Sequence, residues 1–365
     1  MATRLARQWW TQSHAPALLA SQDRLFQALV PKLTTTPLLA AGMNAVQFTY
    51  PTSPTVENDT RPACVVTHGF GSGLGFFYSN VEALLRSGNY RSVTLVDWLG
   101  MGGSERPPCR QRPYRSMFQT ECTKGWCDSH HTTTEDSVNF FVDPLEEFLG
   151  HHGFEDGVCL VGHSLGGYLA ARYALKYPSR LSKLVLASPV GLPNKPENIL
   201  PSSQMPNTFR LIDSLWSANI TPQSLVRMQG ATRGRRSVQR AVQGRIPGLS
   251  IKHANLLADY LFHITVAAPS GEFAMNSLLE PAISPDIMGV FAREPLEDHL
   301  VSDLHSSIDL RINFGDHDWM RTNEPSARKV VAALGQDRSR LDIVPNAGHH
   351  LYLENGDAFN RSILT

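Results

Sequence analysis

Cysteine is scarce in this chain. Five residues in 365, an odd number spread over a large protein, argue against the disulfide framework of a small secreted domain and for a reducing, intracellular compartment. Long apolar runs are missing as well: no stretch approaches the ~18 to 20 residues needed to cross a bilayer, so membrane contact is expected to be peripheral. Net charge is also lacking. With 33 basic and 33 acidic residues the chain has no global pull towards nucleic acid, and every charge argument becomes local. Internal repeats and low-complexity tracts are absent, as are a G-x-G-x-x-G fingerprint and a Lys-Ser/Thr phosphate loop, so a nucleotide site is not expected. Apolar content, by contrast, is ample at 42% against 18% charged, enough for a large buried core.

The most informative stretch runs from Gly157 to Leu169. Val158 to Gly162 read as a buried strand, and Leu165, Leu169 and Tyr173 recur at i, i+4 and i+8 as one face of a helix. Ser164 stands at the join. A strand that turns straight into a helix has no space for side chains beside the turn, which explains Gly162 and Gly166 on either side of the serine and Gly167 beyond it. Gly162-His163-Ser164-Leu165-Gly166 is the G-x-S-x-G nucleophile-elbow pattern. It lifts the hydroxyl off the carboxyl end of the strand and puts the Leu165 amide at a helix start, where it can donate to an oxyanion.

Around this element the chain alternates strand and helix. Residues 44–50 predict a first strand, with 51–62 as its hairpin turn, and Ala63 to Thr67 a buried second one. The loop His68-Gly69-Phe70-Gly71 that follows lets an amide, of Phe70 or Gly71, face the serine as a second oxyanion donor. Further strands are expected at Val93–Val96, Leu184–Ser188, Ile308–Phe314 and Leu341–Val344, with a helix near 138–150. Between Pro189 and His305 the parallel-sheet rhythm gives way to amphipathic helical stretches, read as an inserted cap. The expected division is an N-terminal amphipathic segment at 1–43, a core of 44–188 and 306–365, and a helical cap at 189–305.

Three stretches stand apart. Residues 1–36 carry Arg4, Arg7, Arg24 and Lys32 against Asp23 alone, with Trp9-Trp10 among them. That composition suits a mitochondrial transit segment, an interfacial helix or a helix packed on the back of the domain. Residues 106–136 hold Cys109, Cys122, Cys127, His130 and His131, whose spacing fits no zinc knuckle, so a surface loop is expected and no metal is assigned. Residues 225–252 contain Arg227, Arg233, Arg235, Arg236, Arg240, Arg245 and Lys252 without one acid. Interleaved with Leu and Ile and lacking a stacking platform, they read as a footprint for an anionic lipid surface.

A serine hydroxyl needs a base, and the base needs an acid to hold its tautomer. Asp318 in the loop after a late strand and His349 after the last strand complete the order Ser, Asp, His at one sheet edge, with Asp316 and His350 as their rivals. Asp318 reaches further into its loop, and His349 follows the flexible Gly348.

His68-Gly69-Phe70-Gly71, Gly162 to Gly167, Tyr260-Leu261-Phe262-His263, Pro269-Ser270-Gly271-Glu272 and Ala347-Gly348-His349 together resemble the lipid-acting subgroup of the α/β-hydrolase family, from about Trp9 to Phe359. That subgroup includes an N-acyl phospholipid lipase, a cardiolipin-specific deacylase and a lipid-droplet coactivator of triglyceride lipase. The resemblance implies an α/β-hydrolase fold, a mostly parallel sheet with a helical cap, and release of fatty acid from phospholipids or lysophospholipids at a membrane or lipid-droplet surface without cofactor. It also brings two alternatives. Family members carry a His-x4-Asp motif linked to lysophospholipid acyltransfer from acyl-CoA, and here His349 and Glu354 hold those positions, the acid one methylene longer. The coactivator has Asn in place of the nucleophile and recruits a lipase without catalysis; this chain has Ser164.

Overall fold

The computed structural model describes residues 13–51, 59–108, 133–154, 157–201, 203–246 and 249–364. Trp9, Trp10, Arg4 and Arg7, most of the expected 51–62 turn, and Cys109, Cys122, Cys127, His130 and His131 lie outside them.

The described residues open with helix α1 (Ala15–Leu29) and strands β1 (Thr34–Ala40), β2 (Met43–Thr49) and β3 (Ala63–Thr67), then α2 (Tyr78–Arg86) and β4 (Ser92–Val96). Helix α3 (Thr134–His151) leads to β5 (Val158–His163), α4 (Leu165–Lys176) and β6 (Leu181–Ala187). The insertion carries α5 (Asn207–Ser217), α6 (Pro222–Met228), α7 (Gly230–Arg245) and α8 (Ile251–Thr265), then strands β7 (Leu279–Ile283) and β8 (Met288–Ala292). β9 (Asp309–Gly315), α9 (Glu324–Leu334), β10 (Ser339–Val344) and α10 (Gly356–Leu364) complete the core.

Eight strands form one sheet in the order β1-β2-β4-β3-β5-β6-β9-β10, in which β4 through β10 run parallel. The central strands β3 and β5 are buried on both faces, as their unbroken apolar runs require. Val65, Leu160 and Leu184 pack under α3, α4 and α9, whereas Val66, Val161 and Val185 pack under α1, α2 and α10. A capping box between Thr133 and Asp136 fixes the start of α3.

Two expectations change. The hairpin turn is not at 51–62: it is Ala41-Gly42, both with positive φ (50° and 70°), and it joins β1 to β2. β1, from the segment assigned outside the core, is an exposed edge strand, the place in a sheet where a proline such as Pro37 is tolerated, and that proline hides the strand from a period-two reading. The cap is likewise not all helical, since β7 and β8 pair as an antiparallel hairpin. Helix α1 is a packed helix that buries Leu18, Leu25 and Phe26. It is tied to α8 by Arg24 and Asp259 (2.8 Å) and by Ser13 Oγ and His263 Nδ1 (2.6 Å). Among the described residues no helix is long and apolar enough to cross a membrane.

The basic run divides. Arg227 is wholly buried and forks onto Glu272 (2.8 and 2.6 Å), so it belongs to the interior of the cap rather than to a surface. Arg235 pairs with Asp259 and lies over the Phe262 ring. Acids distant in sequence answer a run that has none of its own. Arg233, Arg236 and Arg240 remain exposed, and the spacing i, i+3, i+7 gathers them on one outward stripe of α7.

Candidate active site

Ser164 is held at φ 55° and ψ −115°, a strained backbone setting that points its side chain out of the turn. The flanking glycines are dictated by space. A Cβ on Gly162 would lie 2.3 Å from the Gly166 carbonyl oxygen, and one on Gly166 would lie 2.3 Å from that of His68. Ser164 Oγ is 3.1 Å from His349 Nε2, and His349 Nδ1 is 3.1 Å from Asp318 Oδ1. The three groups named from sequence therefore converge, each from the carboxyl end of its own strand.

Both rivals have other work. Asp316 accepts from the amides of Asn346 and Ala347 at 2.9 Å each, bonds that lower its carboxyl pKa and brace the loop before His349. His350 turns its Nδ1 to the Tyr352 hydroxyl at 3.0 Å. Glu354 clasps the same loop from the other side, its carboxylate accepting from the amides of Gly348 (2.8 Å) and His350 (3.1 Å).

Leu165 opens α4 directly after Ser164 and lines the cavity, while Gly167 and Tyr168 donate to the Ser164 carbonyl. Phe70 and Gly71 line the same cavity, Gly71 at φ +69°. The loop that carries them is fastened by Asp97, whose role has no motif around it to mark it in the sequence. Its buried carboxylate accepts from Leu74 N (2.7 Å), Gly103 N (2.7 Å) and Asn44 Nδ2 (2.8 Å).

Burial raises the Asp318 carboxyl, but hydrogen bonds from His349, Ser188 and the Met320 amide outweigh it and hold the pKa below the usual carboxylate value, so the group stays an anion beside the imidazole. His163, the residue before Ser164, is pushed well below 6.5 by burial and then by the neighbouring His349 and His350. It stays neutral and bonds the His349 carbonyl through Nε2 at 2.9 Å, tying the elbow to the histidine loop. His68 is lowered by burial as well.

Ser164 and His349 open onto a cavity of about 1160 Å³ lined mainly by apolar residues of the cap, among them Ile212, Leu215, Trp216, Leu225 and Val242. Glu272 closes part of its wall, paired with Arg227. The Pro-Ser-Gly-Glu piece thus has a structural role: Gly271 N donates to Gly100 O (3.2 Å), Ser270 Oγ donates to Pro107 O, and Glu272 anchors α6. The arrangement offers a nucleophile with its base, amides for a developing oxyanion, and an apolar chamber large enough for an acyl chain.

The profile of a family described as alpha/beta hydrolase fold matches residues 62–356. A 1-acylglycerol-3-phosphate O-acyltransferase of Arabidopsis thaliana is 31% identical over 83% of this chain, which spans 66% of the plant protein's length. A human (lyso)-N-acylphosphatidylethanolamine lipase is 27% identical over 93% of this chain and 88% of its own. Among solved structures, a carboxylesterase from Bacillus subtilis shares the fold with a TM-score of 0.58 at 17% identity, covering 96% of each chain.

Proposed function

The chain belongs to the alpha/beta hydrolase fold family, and from that premise we propose that it is a serine hydrolase releasing fatty acid from glycerophospholipids or lysophospholipids at a membrane surface. The observation that carries this reading is the 3.1 Å contact between Ser164 Oγ and His349 Nε2 at the edge of the apolar cavity. Oγ attacks the acyl carbonyl as its proton passes to Nε2. The carbonyl electron pair becomes an oxyanion, held by the amides of Leu165 and of Phe70 or Gly71. Collapse breaks the bond to the headgroup-bearing alcohol or amine, which takes the proton from Nε2, and water then cleaves the acyl-serine by the same route in reverse. Asp318 holds the tautomer throughout. No metal or cofactor enters these steps.

Two surface features support action at a membrane. Ile212 and Leu225, exposed on α5 and α6, also line the cavity, and Met228, one helical turn past Leu225 on α6, is a further exposed apolar side chain (58%). The outward Arg233, Arg236 and Arg240 of α7 supply positive charge for an anionic headgroup layer.

The name of the plant relative, a 1-acylglycerol-3-phosphate O-acyltransferase, favours a second reading, acyl transfer to a lysophospholipid, for which the family resemblance implies acyl-CoA as donor. That transfer would use either the same serine or the His349/Glu354 pair, and it differs from hydrolysis in what accepts the acyl group. A screen of lysophospholipids, N-acyl phosphatidylethanolamine, cardiolipin and triacylglycerol, with and without acyl-CoA and with Ser164→Ala as control, tests both. Fatty acid released without CoA establishes the hydrolase. Product formed only with acyl-CoA selects the transferase. A wild-type chain that resists a fluorophosphonate probe and forms no product with or without acyl-CoA leaves neither, and points to a non-catalytic lipase-recruiting role.

A further inference from the structure

Four adjacent strands of the sheet, β5, β6, β9 and β10, each end at the same rim. Three of them deliver Ser164, Asp318 and His349. The fourth delivers Ser188, the residue just beyond β6, which lies between the nucleophile strand and the acid strand. Its hydroxyl is fully buried, donates to Asp318 Oδ2, and lies 2.8 Å from His349 Nδ1. That is closer than the 3.1 Å from the same nitrogen to Asp318 Oδ1.

We propose that Ser188 is a positioning residue of the catalytic group, a hydroxyl that fixes both the carboxylate of Asp318 and the tautomer of His349. The inference rests on the serine-hydrolase reading above. If Nε2 is to accept the Ser164 proton, Nδ1 must carry its own hydrogen, and that N–H meets two acceptors, Asp318 Oδ1 and Ser188 Oγ. The Ser188 O–H is then directed onto Oδ2, which stops the carboxylate from turning about its bond. Asp318 Oδ1 is held separately by the Met320 amide at 2.8 Å. Each carboxylate oxygen thus has its own donor, and the imidazole is gripped at two points rather than one.

The backbone argues for the same role. Ser188 has φ 49°, the left-handed region in which glycine is unstrained, and its amide is pinned to Asn313 O at 2.7 Å. A residue serving only the turn would be glycine; the serine tolerates the strain and brings a hydroxyl. The substrate side of His349 is occupied by Ser164, Trp319 (ring centres 4.9 Å apart) and the cavity, so Ser188 on the far side has no path to the substrate. His163 and His350 also face the imidazole, at ring separations of 4.8 and 5.7 Å, and their ring nitrogens bond the His349 carbonyl and the Tyr352 hydroxyl respectively.

The test compares wild type with Ser188→Gly, which suits the backbone and deletes only the hydroxyl, and Ser188→Cys, which restores a weaker donor of similar shape. Sites are titrated with a fluorophosphonate, and turnover of a soluble p-nitrophenyl ester is expressed per titrated site, so misfolded protein does not count. Ser188→Gly is expected to lose about 10- to 100-fold in kcat with KM unchanged, because the imidazole is mis-set while the cavity is intact. Ser188→Cys is expected to fall between. Wild-type kcat per site in Ser188→Gly, or a loss confined to KM, overturns the proposal while leaving the serine hydrolase standing. A wild-type chain that neither labels nor turns over overturns both.

Discussion

Glu354 offers a sharp test of how the histidine loop is held. Its carboxylate accepts from the Gly348 and His350 amides at 2.8 and 3.1 Å, on either side of His349. Bonds to a charged group contribute about 1.5–3 kcal/mol each, and water reaching this half-buried residue puts the pair near the lower end, about 3 kcal/mol together. Asp316 still binds Asn346 and Ala347 in a Glu354→Ala variant, so the loop remains but its second half loosens. A shift of about 1 Å takes Nε2 out of hydrogen-bond reach of Ser164, which corresponds to roughly a hundredfold loss. The expected outcome for Glu354→Ala is therefore a 10- to 100-fold fall in kcat per titrated site, with Glu354→Gln intermediate because one acceptor oxygen survives. Ester hydrolysis and acyl transfer from acyl-CoA to a lysophosphatidate are to be measured side by side. A brace lowers both in proportion, since both need His349. Loss of transfer alone, with hydrolysis at the wild-type rate, would refute this account and make Glu354 a group specific to the acyl acceptor.

Gly166→Ala should abolish fluorophosphonate labelling, since its Cβ would lie 2.3 Å from the His68 carbonyl oxygen and push the loop bearing Phe70 and Gly71 away; a wild-type labelling rate contradicts the steric argument. Arg227→Ala leaves Glu272 as a buried, unpaired charge and should cost about 3–5 kcal/mol in urea denaturation. Arg227→Met combined with Glu272→Leu should recover much of that, and a double variant no better than the single one would show that the pair is not isolated. Two buried histidines, His68 and His163, have pKa values lowered by burial, so the unfolded chain binds protons that the native one refuses. Stability should fall as pH drops below the ordinary value of 6.5, by up to about 1.4 kcal/mol per pH unit for each. His163→Gln should flatten the slope of denaturation midpoint against pH between 5 and 6.5, and an unchanged slope would mean that the His163 ring is not neutral by burial.

Much of this protein follows from local order in the chain. A strand that must turn at once into a helix around Ser164 needs Gly162 and Gly166, and that steric demand is written in five consecutive residues. The parallel core is legible because strands buried on both faces carry unbroken apolar runs, and the candidate acid and base follow from loops placed after late strands. Other features have no local signature. β1 has none because a largely exposed edge strand with Pro37 in it need not alternate. Asp97 and Ser188 do their work through partners 23 and 130 residues away in sequence, and Glu354, legible as the acid of a His-x4-acid pattern, gives no sequence sign that it clasps the amides on either side of His349. The charge of the 225–252 run misleads for the same reason, since whether Arg227 meets water or Glu272 depends on where the cap folds back on itself. Sequence determined which groups could react and in what order along the sheet. Tertiary structure decided which were held, and by what, because a hydrogen bond depends on distance in space and the chain records only distance along itself.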